Sequence, residues 1–180
     1  MHRSDGDGVL GLDIAEPDLR RQVGALLPEL RAFARFLARD RTLADDLVQD
    51  ALVRALGALH QFQPGTSLKA WVFAIQRNAF YEHQRRRKRE ADVLAESFDE
   101  TEAARPRQHD RAEIADLQQM IWTLPPLLRE ALILIGAQEL TYEEAATVCN
   151  VPVGTMKARL SRARVALGAA VAKSEREGSE

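Results

Sequence analysis

The residues with the clearest chemical potential form a set of cations near the end of the chain. The segment Leu140–Leu167, LTYEEAATVCNVPVGTMKARLSRARVAL, predicts a helix-turn-helix in which Thr155 caps the second helix. The buried stripe of that helix would consist of Val153, Met156, Leu160, Ala163 and Leu167. Its exposed positions would be Thr155, Lys157, Ala158, Arg159, Ser161, Arg162 and Arg164. A solvated surface helix usually mixes both signs of charge, yet no acid occurs between Glu144 and Glu175. The pattern therefore favours a helix that binds duplex DNA in the major groove.

A second candidate site combines aromatic residues with cations. Ser67 can cap a long helix that reads SLKAWVFAIQRNAFYEHQRRRKR through Arg89. Rings stack on unpaired bases and arginines neutralise phosphates, so this combination suits single-stranded nucleic acid. The alternative is that Trp71, Phe73 and Phe80 are ordinary core residues and the basic run is a solvated tail. Taken alone, the core interpretation is favoured for Trp71.

A third candidate site is acidic. Asp46, Gln49 and Asp50 lie three or four positions apart, which places them on one face of a helix that starts after Thr42, the expected N-cap. Such a face could bind a metal ion, complement the helix dipole or dock a partner protein. The dipole does not account for Gln49 and Asp50, and no further hard ligand lies nearby for a metal.

The remaining composition argues against catalysis and against a metal or cofactor. The four histidines have neither ligand nor triad spacing, Cys149 is the single cysteine, and no Gly-rich phosphate loop occurs. The N-terminus lacks the pattern of a signal peptide, and no apolar run is long enough to span a bilayer, so we expect a cytoplasmic protein. The net charge of −2 divides into +3 for residues 1–90 and −5 for residues 91–180.

The periodicity predicts an all-α protein of two small helical domains joined by an acidic flexible linker. Helical spacing predicts three helices in the first domain and four in the second, with Pro125-Pro126 separating two of the latter and a capping box at Thr141 and Glu144. The expected boundaries are a disordered N-terminus at 1–16, a first domain at 17–89, a linker at 90–112, a second domain at 113–173 and a disordered tail at 174–180.

Three motifs in this order resemble the extracytoplasmic-function (ECF, group IV) sigma factors of bacterial RNA polymerase, within the sigma-70 family. They are ADDLVQDALVRAL at 44–56, the long aromatic and basic helix at 67–89, and the helix-turn-helix at 140–167. The resemblance implies that the first domain is sigma region 2 and the second is sigma region 4. It also implies a transcription initiation factor, not an enzyme, that binds core RNA polymerase and promoter DNA.

The resemblance further implies roles for individual residues. Asp46, Gln49 and Asp50 match positions that dock the clamp helices of the largest polymerase subunit, and region 4 would meet the flap. Positions matching those that capture a flipped base of the −10 element, with the backbone beside it, are Phe62, Trp71, Asn78, Tyr81, Arg85 and Arg86. Lys157, Ala158, Ser161 and Arg162 match positions that read the −35 element, with Thr155, Arg159 and Arg164 beside them. Many members carry Asp where this chain has Glu82.

The phrases around Leu68–Phe73 and Arg129–Ala137, with TYEEAA, are similar to the general-stress-response group of ECF factors, the EcfG-like group. In that group an anti-sigma protein of the NepR type sequesters the factor. Two other interpretations remain: a sigma mimic that titrates an anti-sigma factor, and a stand-alone helix-turn-helix regulator. A mimic would not need cations at both DNA-facing sites, and a stand-alone regulator would not need the region 2 motifs.

Overall fold

A computed structural model of the chain describes residues 16–95 and 112–177, and within these ranges it contains helices and turns but no strand. The predicted all-α fold is confirmed there. The N-terminal bundle consists of α1 (Glu16–Ala25), α2 (Leu27–Leu37), α3 (Arg41–Gly57), a 3₁₀ turn (Leu59–Gln61) and α4 (Leu68–Ala95). The C-terminal bundle consists of α5 (Ala112–Thr123), α6 (Pro126–Leu132), a π-helical turn (Ile133–Ala137), α7 (Tyr142–Cys149) and α8 (Val153–Glu177).

The core of the N-terminal bundle lies where α2 and α3 pack against α4. The rings of Phe33 and Phe73 stack with their centroids 5.0 Å apart, and both side chains are fully buried. Gln76 is a buried polar residue in this core, and its amide nitrogen donates to the Leu30 carbonyl oxygen at 2.9 Å. This hydrogen bond ties α4 to α2 and offsets part of the desolvation of the amide.

The N-cap of α3 differs from the sequence-based prediction. The side chain of Asp40 accepts from the Leu43 backbone N–H at 2.7 Å, whereas Thr42 lies inside the first turn. Both residue types make good caps, so composition alone does not distinguish them. At α4 the prediction is confirmed, because the Ser67 hydroxyl accepts from the Ala70 backbone N–H at 3.2 Å.

The helix-turn-helix of the C-terminal bundle is confirmed. Thr141 and Glu144 form the predicted capping box at the start of α7. Asn150 ends this helix in the left-handed conformation, with φ of 51°, which asparagine adopts more readily than most residues. The predicted cap of α8 is wrong, however, because the helix already begins at Val153 and Thr155 lies in its first turn.

Several helix ends extend beyond the predicted boundaries. Glu16 belongs to α1, α4 continues to Ala95 and α8 continues to Glu177, so parts of the expected linker and tails are helical. The predicted disorder of residues 1–15 and 178–180 and the predicted linker at 96–111 lie outside the described residues.

Candidate nucleic-acid interface

The exposed face of α8 carries most of the cations predicted to contact duplex DNA. Lys157, Ala158, Ser161, Arg162 and Arg164 are all exposed. Apolar residues on the opposite face, including Met156, Leu160 and Ala163, are buried and fix the rotation of the helix. The ammonium group of Lys157 lies 5.4 Å from the centre of the Tyr142 ring, which connects α8 to α7. The start of α8 therefore presents cations along one face, as a helix does that enters the major groove.

Two of the residues on α8 that were predicted to contact DNA are less accessible than the others. Thr155 and Arg159 are half-buried. One terminal guanidinium nitrogen of Arg159 is buried and has no hydrogen-bond partner among the described residues. The side chain of Arg159 thus lies partly against the bundle, whereas those of Arg162 and Arg164 are directed to solvent.

The acidic face of α3 lies on the surface as predicted. Asp46 and Gln49 are exposed and Asp50 is half-buried, while Leu47, Val48 and Ala51 on the other side of the helix are buried. Val53, one turn after Asp50, is 72% exposed although it is apolar. We call Asp46, Gln49 and Asp50 the docking stripe. Together with Val53 it combines charge and exposed apolar surface, a composition suited to a protein partner.

Sequence reasoning missed the role of Arg54 next to this stripe. Its guanidinium donates to Asp50 at 2.8 Å and to Glu82 of α4 at 2.7 Å, so it joins α3 to α4. The hydrogen bonds that Arg54 donates to Asp50 and then to Glu82 raise the pKa of Arg54 above its ordinary value. The spacing of four residues between Asp50 and Arg54 indicated an ion pair between them, but nothing in the sequence indicated the pair between Arg54 and Glu82.

The aromatic residues of the second candidate site are not free in this structure. Phe62 is buried and packs against the half-buried Trp71, with ring centroids 5.6 Å apart. Tyr81 is half-buried and its hydroxyl donates to Glu130. Phe73 and Phe80 are core residues, as the alternative interpretation of this helix held.

The polar members of the same candidate site are accessible. Asn78, Arg85 and Arg86 are exposed along α4, and Arg86 forms an ion pair with Glu90 at 2.9 Å. Because that pair is exposed and spans one turn of helix, it contributes little to stability and can exchange for a phosphate contact.

Comparison with known proteins agrees with this arrangement of exposed surfaces. The family described as Sigma-70 region 2 matches residues 23–90, and the family described as Sigma-70, region 4 matches residues 114–167. The ECF RNA polymerase sigma factor EcfG of Rhodopseudomonas palustris is 44% identical over 151 residues, which cover 84% of this chain and 83% of that protein. The chain belongs to the ECF sigma factors. It is therefore an alternative sigma factor, a factor for transcription initiation.

Solved structures of related sigma factors show the same fold. The sigma factor RpoE of Bartonella quintana, solved in complex with the anti-sigma factor NepR, is 40% identical and superimposes with a TM-score of 0.73 over 86% of this chain and 96% of that one. CnrH in complex with the cytosolic domain of CnrY is 26% identical, with a TM-score of 0.65 over 88% of this chain and 90% of that one.

In this sigma factor the two bundles contact each other through a buried carboxylate that sequence reasoning missed. Glu130 of α6 is only 4% exposed. Its Oε2 atom accepts from the Arg77 Nε of α4 at 2.9 Å, and its Oε1 atom accepts from the Tyr81 hydroxyl. We call Glu130, Arg77 and Tyr81 the interbundle cluster. Only a weak signal in the sequence indicated that Glu130 is buried: it lies at helical spacing from the apolar residues Leu127, Ile133 and Leu134.

The cluster changes the protonation equilibria of its neighbours. Burial acts to lower the pKa of Arg77, but the charge of Glu130 and the hydrogen bond to it, together with the charges of Cys149 and Tyr81, outweigh burial and raise this pKa. Burial, with the hydrogen bond to Glu130, raises the pKa of Tyr81 well above its ordinary value. Burial and the nearby Glu130 carboxylate also raise the pKa of Cys149 to about 12. The Cys149 Sγ lies 3.8 Å from Glu130 Oε2.

Further polar contacts bridge the bundles along α4. The Lys69 ammonium donates to the Gln138 carbonyl oxygen at 2.8 Å. The Ser67 hydroxyl and then the Thr141 backbone N–H donate to Glu144 and lower the pKa of its carboxyl group. Both contacts lie toward the start of α4, whereas Arg77 and Tyr81 lie farther along it, so the polar contacts extend over several turns of the helix.

A cleft between the bundles is lined by cations and aromatic rings. Arg39, which follows α2, and Arg129 of α6 both stack on the Trp122 ring, at 4.9 Å and 3.9 Å from its centre. Burial and then the charge of Arg39 lower the pKa of Arg129. Arg129 donates to the carbonyl oxygens of Trp122 and Leu124, which gives it a role in ending α5.

Among the described residues, no group of three His, Cys, Asp or Glu side chains is arranged to hold a metal ion. No helix within 16–95 or 112–177 has the length and apolar content needed to span a membrane.

Proposed function

We propose that this sigma factor binds core RNA polymerase through the docking stripe on α3. Asp46 and Gln49 are exposed there, and Asp50 is held by Arg54 at 2.8 Å, which fixes one carboxylate in position. A partner with cations on a helical surface would fit this stripe, and the clamp helices of the largest polymerase subunit are the partner that the family resemblance implies. The flap would bind the C-terminal bundle.

The N-terminal bundle reads the −10 element. Exposed Asn78 and the basic run that contains Arg85 and Arg86 would bind the strand, while Phe62, Trp71 and Tyr81 would form the pocket for an extruded base. Extruding a base costs a few kcal/mol, so a pocket that holds it favours promoter melting. The burial of Phe62 and the hydrogen bond of Tyr81 mean that this pocket must form by rearrangement.

The C-terminal bundle reads the −35 element through α8. The observation that carries the proposal is the exposed cationic face of Lys157, Arg162 and Arg164, free of acidic residues and placed by a capped helix-turn-helix. Lys157, Ala158, Ser161 and Arg162 would face base edges, and Arg164 with Thr155 and Arg159 would lie near phosphates. The same cations count against a mimic that only binds an anti-sigma factor.

The biological setting follows from the relatives. Similarity to EcfG and to a sigma factor solved with NepR supports a role in a stress-response regulon under an anti-sigma factor of the NepR type. The factor would act in the cytoplasm, where polymerase and promoters are located. It would need no cofactor and would have no catalytic activity of its own, because polymerase supplies the chemistry.

Run-off transcription tests this function. Purified core polymerase is supplied with a library of random promoters, with and without this protein. We expect protein-dependent transcripts whose templates share two spaced sequence motifs. Absence of both transcripts and core binding by the purified, anti-sigma-free protein would contradict the proposal.

A pair of charge-reversal variants tests the docking stripe. Asp46→Arg should abolish co-purification with core without unfolding the bundle, because Asp46 is exposed and forms no ion pair with another described residue. Asp92→Arg makes the same charge change at another exposed position of the N-terminal bundle and should bind core normally. Equal core binding by both variants would rule out the docking assignment.

A further inference from the structure

Two arginines of like charge share one aromatic ring in the cleft between the bundles. The guanidinium groups of Arg39 and Arg129 lie 4.9 Å and 3.9 Å from the centre of the Trp122 ring. Neither arginine forms an ion pair with another residue in the described part of the chain. The Nε atom of Arg129 is buried and has no hydrogen-bond partner among these residues. The charge of Arg39 therefore acts on Arg129 as repulsion, and after burial it is the main reason why the pKa of Arg129 is lowered.

The cleft contains more cations than carboxylates that could neutralise them. Arg41 of α3 and Arg87 of α4 line it as well, and both are exposed. Its two acidic residues are Asp40, which caps α3, and Glu130, which is paired with Arg77. Because Glu130 is already neutralised, four arginines against the Asp40 carboxylate leave an excess of three positive charges. The first turn of α3 also lines the cleft, and the N-terminus of a helix adds to a positive potential.

The size and the apolar lining of the cleft suit a small organic molecule. Its volume is about 1060 Å³, at the upper end of the range for small-molecule sites. The side chains of Phe36, Leu43 and Phe80 form part of its wall, and Phe36 and Leu43 are only half-buried, so apolar surface is accessible there. A single phosphate group carries about −1.5 to −2 charges at neutral pH, so two such groups match the excess of positive charge.

We propose that this cleft binds a nucleotide that carries two or more phosphate groups. Arg39 and Arg129 hold one phosphate, because a guanidinium group donates two parallel hydrogen bonds to phosphate oxygens. Arg41 and Arg87 neutralise the next phosphate, and the nucleoside lies against the apolar wall that contains Phe36. None of the residues of the docking stripe or of the cationic face of α8 lines this cleft. The nucleotide is therefore a ligand in addition to polymerase and promoter DNA.

Isothermal titration calorimetry of the free full-length protein tests the site, with ADP as the probe and without divalent cations. We expect saturable binding at one site. Adenosine, which lacks the phosphates, should bind at least a hundredfold more weakly, and inorganic pyrophosphate, which lacks the nucleoside, roughly tenfold more weakly. Absence of saturable ADP binding, or equal affinity for ADP and adenosine, would overturn the proposal. Pyrophosphate that bound as tightly as ADP would overturn the assignment to a nucleotide.

Two matched pairs of variants locate the binding. Arg39→Met and Arg87→Met each remove an exposed cation of the cleft and should weaken ADP binding roughly tenfold or more. Their controls, Arg31→Met in α2 and Arg89→Met in α4, remove exposed cations that do not line the cleft and should retain the wild-type affinity. Equal losses within each pair would mean diffuse attraction to surface cations and would contradict the proposal.

The fluorescence of Trp122 gives a second measurement at the site itself. The chain has two tryptophans, so Trp71→Phe leaves Trp122 as the single indole fluorophore. Arg129 is kept in all variants, because it donates to backbone carbonyl oxygens at the end of α5. When ADP draws the guanidinium groups from the ring, the emission of Trp122 should change with the dissociation constant found by calorimetry. Unchanged emission at saturating ADP would place the ligand elsewhere and would also overturn the proposal.

Discussion

At the scale of single residues, Arg162 offers the most direct test of promoter reading. It is exposed on α8, and its Nε donates to the Ala158 carbonyl oxygen at 3.3 Å, one turn earlier. Arg162→Ala should leave the helix intact, because alanine is a good helix former. It should reduce −35-dependent transcription through the loss of about 1–3 kcal/mol of promoter-binding free energy. The measurement is run-off transcription on promoters with single base substitutions in the −35 element.

The control for Arg162→Ala removes an identical cation from the same helix. Arg176 is exposed in the last turn of α8, far from the helix-turn-helix. Arg176→Ala should change transcription little and equally on all promoters. If Arg162→Ala retained the wild-type dependence on the −35 sequence, that base contact would be excluded.

Exposure of single residues was largely predictable, and their partners were not. Lys157, Arg162 and Arg164 are exposed because their buried neighbours follow helical periodicity, which is readable from the chain. Glu130 pairs with Arg77 across 53 positions of sequence, and no local pattern encodes such a contact. The same reason explains why the pairing of Arg54 with Glu82, 28 positions away, was missed.

At the scale of elements, the N-cap of α3 is a different residue from the one that the sequence predicts. Asp40 accepts from the Leu43 N–H at 2.7 Å, and Thr42, the residue expected to cap, is exposed within the first turn. Asp40→Ala should therefore lower the free energy of unfolding by roughly 0.5–2 kcal/mol, whereas Thr42→Ala should be close to neutral. Urea unfolding of both variants measures the difference, and a larger loss for Thr42→Ala would contradict the assigned cap.

The elements themselves were predictable where an apolar stripe was long. The helices α3, α4 and α8 have such stripes and were identified, although their ends were misplaced by a few residues. Helix α1 was missed because only Leu19 and Val23 are buried in its ten residues, too few to give a clear period. The π-helical turn after α6 was also missed, since a shift from one hydrogen-bond period to another leaves no mark in hydrophobic spacing.

At the scale of the whole molecule, the packing of the two bundles could not be read from the sequence. Each bundle has its own apolar core, and each would satisfy helical periodicity whether the bundles touched or not. What distinguishes the packed form is a small number of polar contacts of high sequence separation, such as Lys69 with Gln138 and Arg77 with Glu130. Residue type does not distinguish the two cases, because a charged side chain that faces solvent and one that pairs across the bundles are the same kinds of residue in the sequence.

Because the thiol of Cys149 is buried, the free energy of unfolding should vary with pH in the alkaline range. Burial, and then the Glu130 carboxylate, raise the pKa of Cys149 from 9.0 to about 12, although Arg77 and Arg159 act in the opposite direction. The folded chain thus holds the thiol proton more tightly than the unfolded chain does. The resulting stabilisation is fully present below pH 9, the ordinary thiol value, and is lost progressively as the pH approaches 12.

Cys149→Ala should therefore flatten the pH dependence of stability even though it lowers stability at neutral pH by opening a small cavity. Above the ordinary thiol pKa the wild-type curve should fall more steeply, by up to about 1.4 kcal/mol per pH unit. Urea unfolding at pH 8, 9, 10 and 11 measures both slopes. Tyr81 is present in both proteins, so its own titration cancels from the comparison. Parallel curves would mean that Cys149 is not held as a neutral thiol beside Glu130 and that the carboxylate is better solvated than the packed arrangement implies.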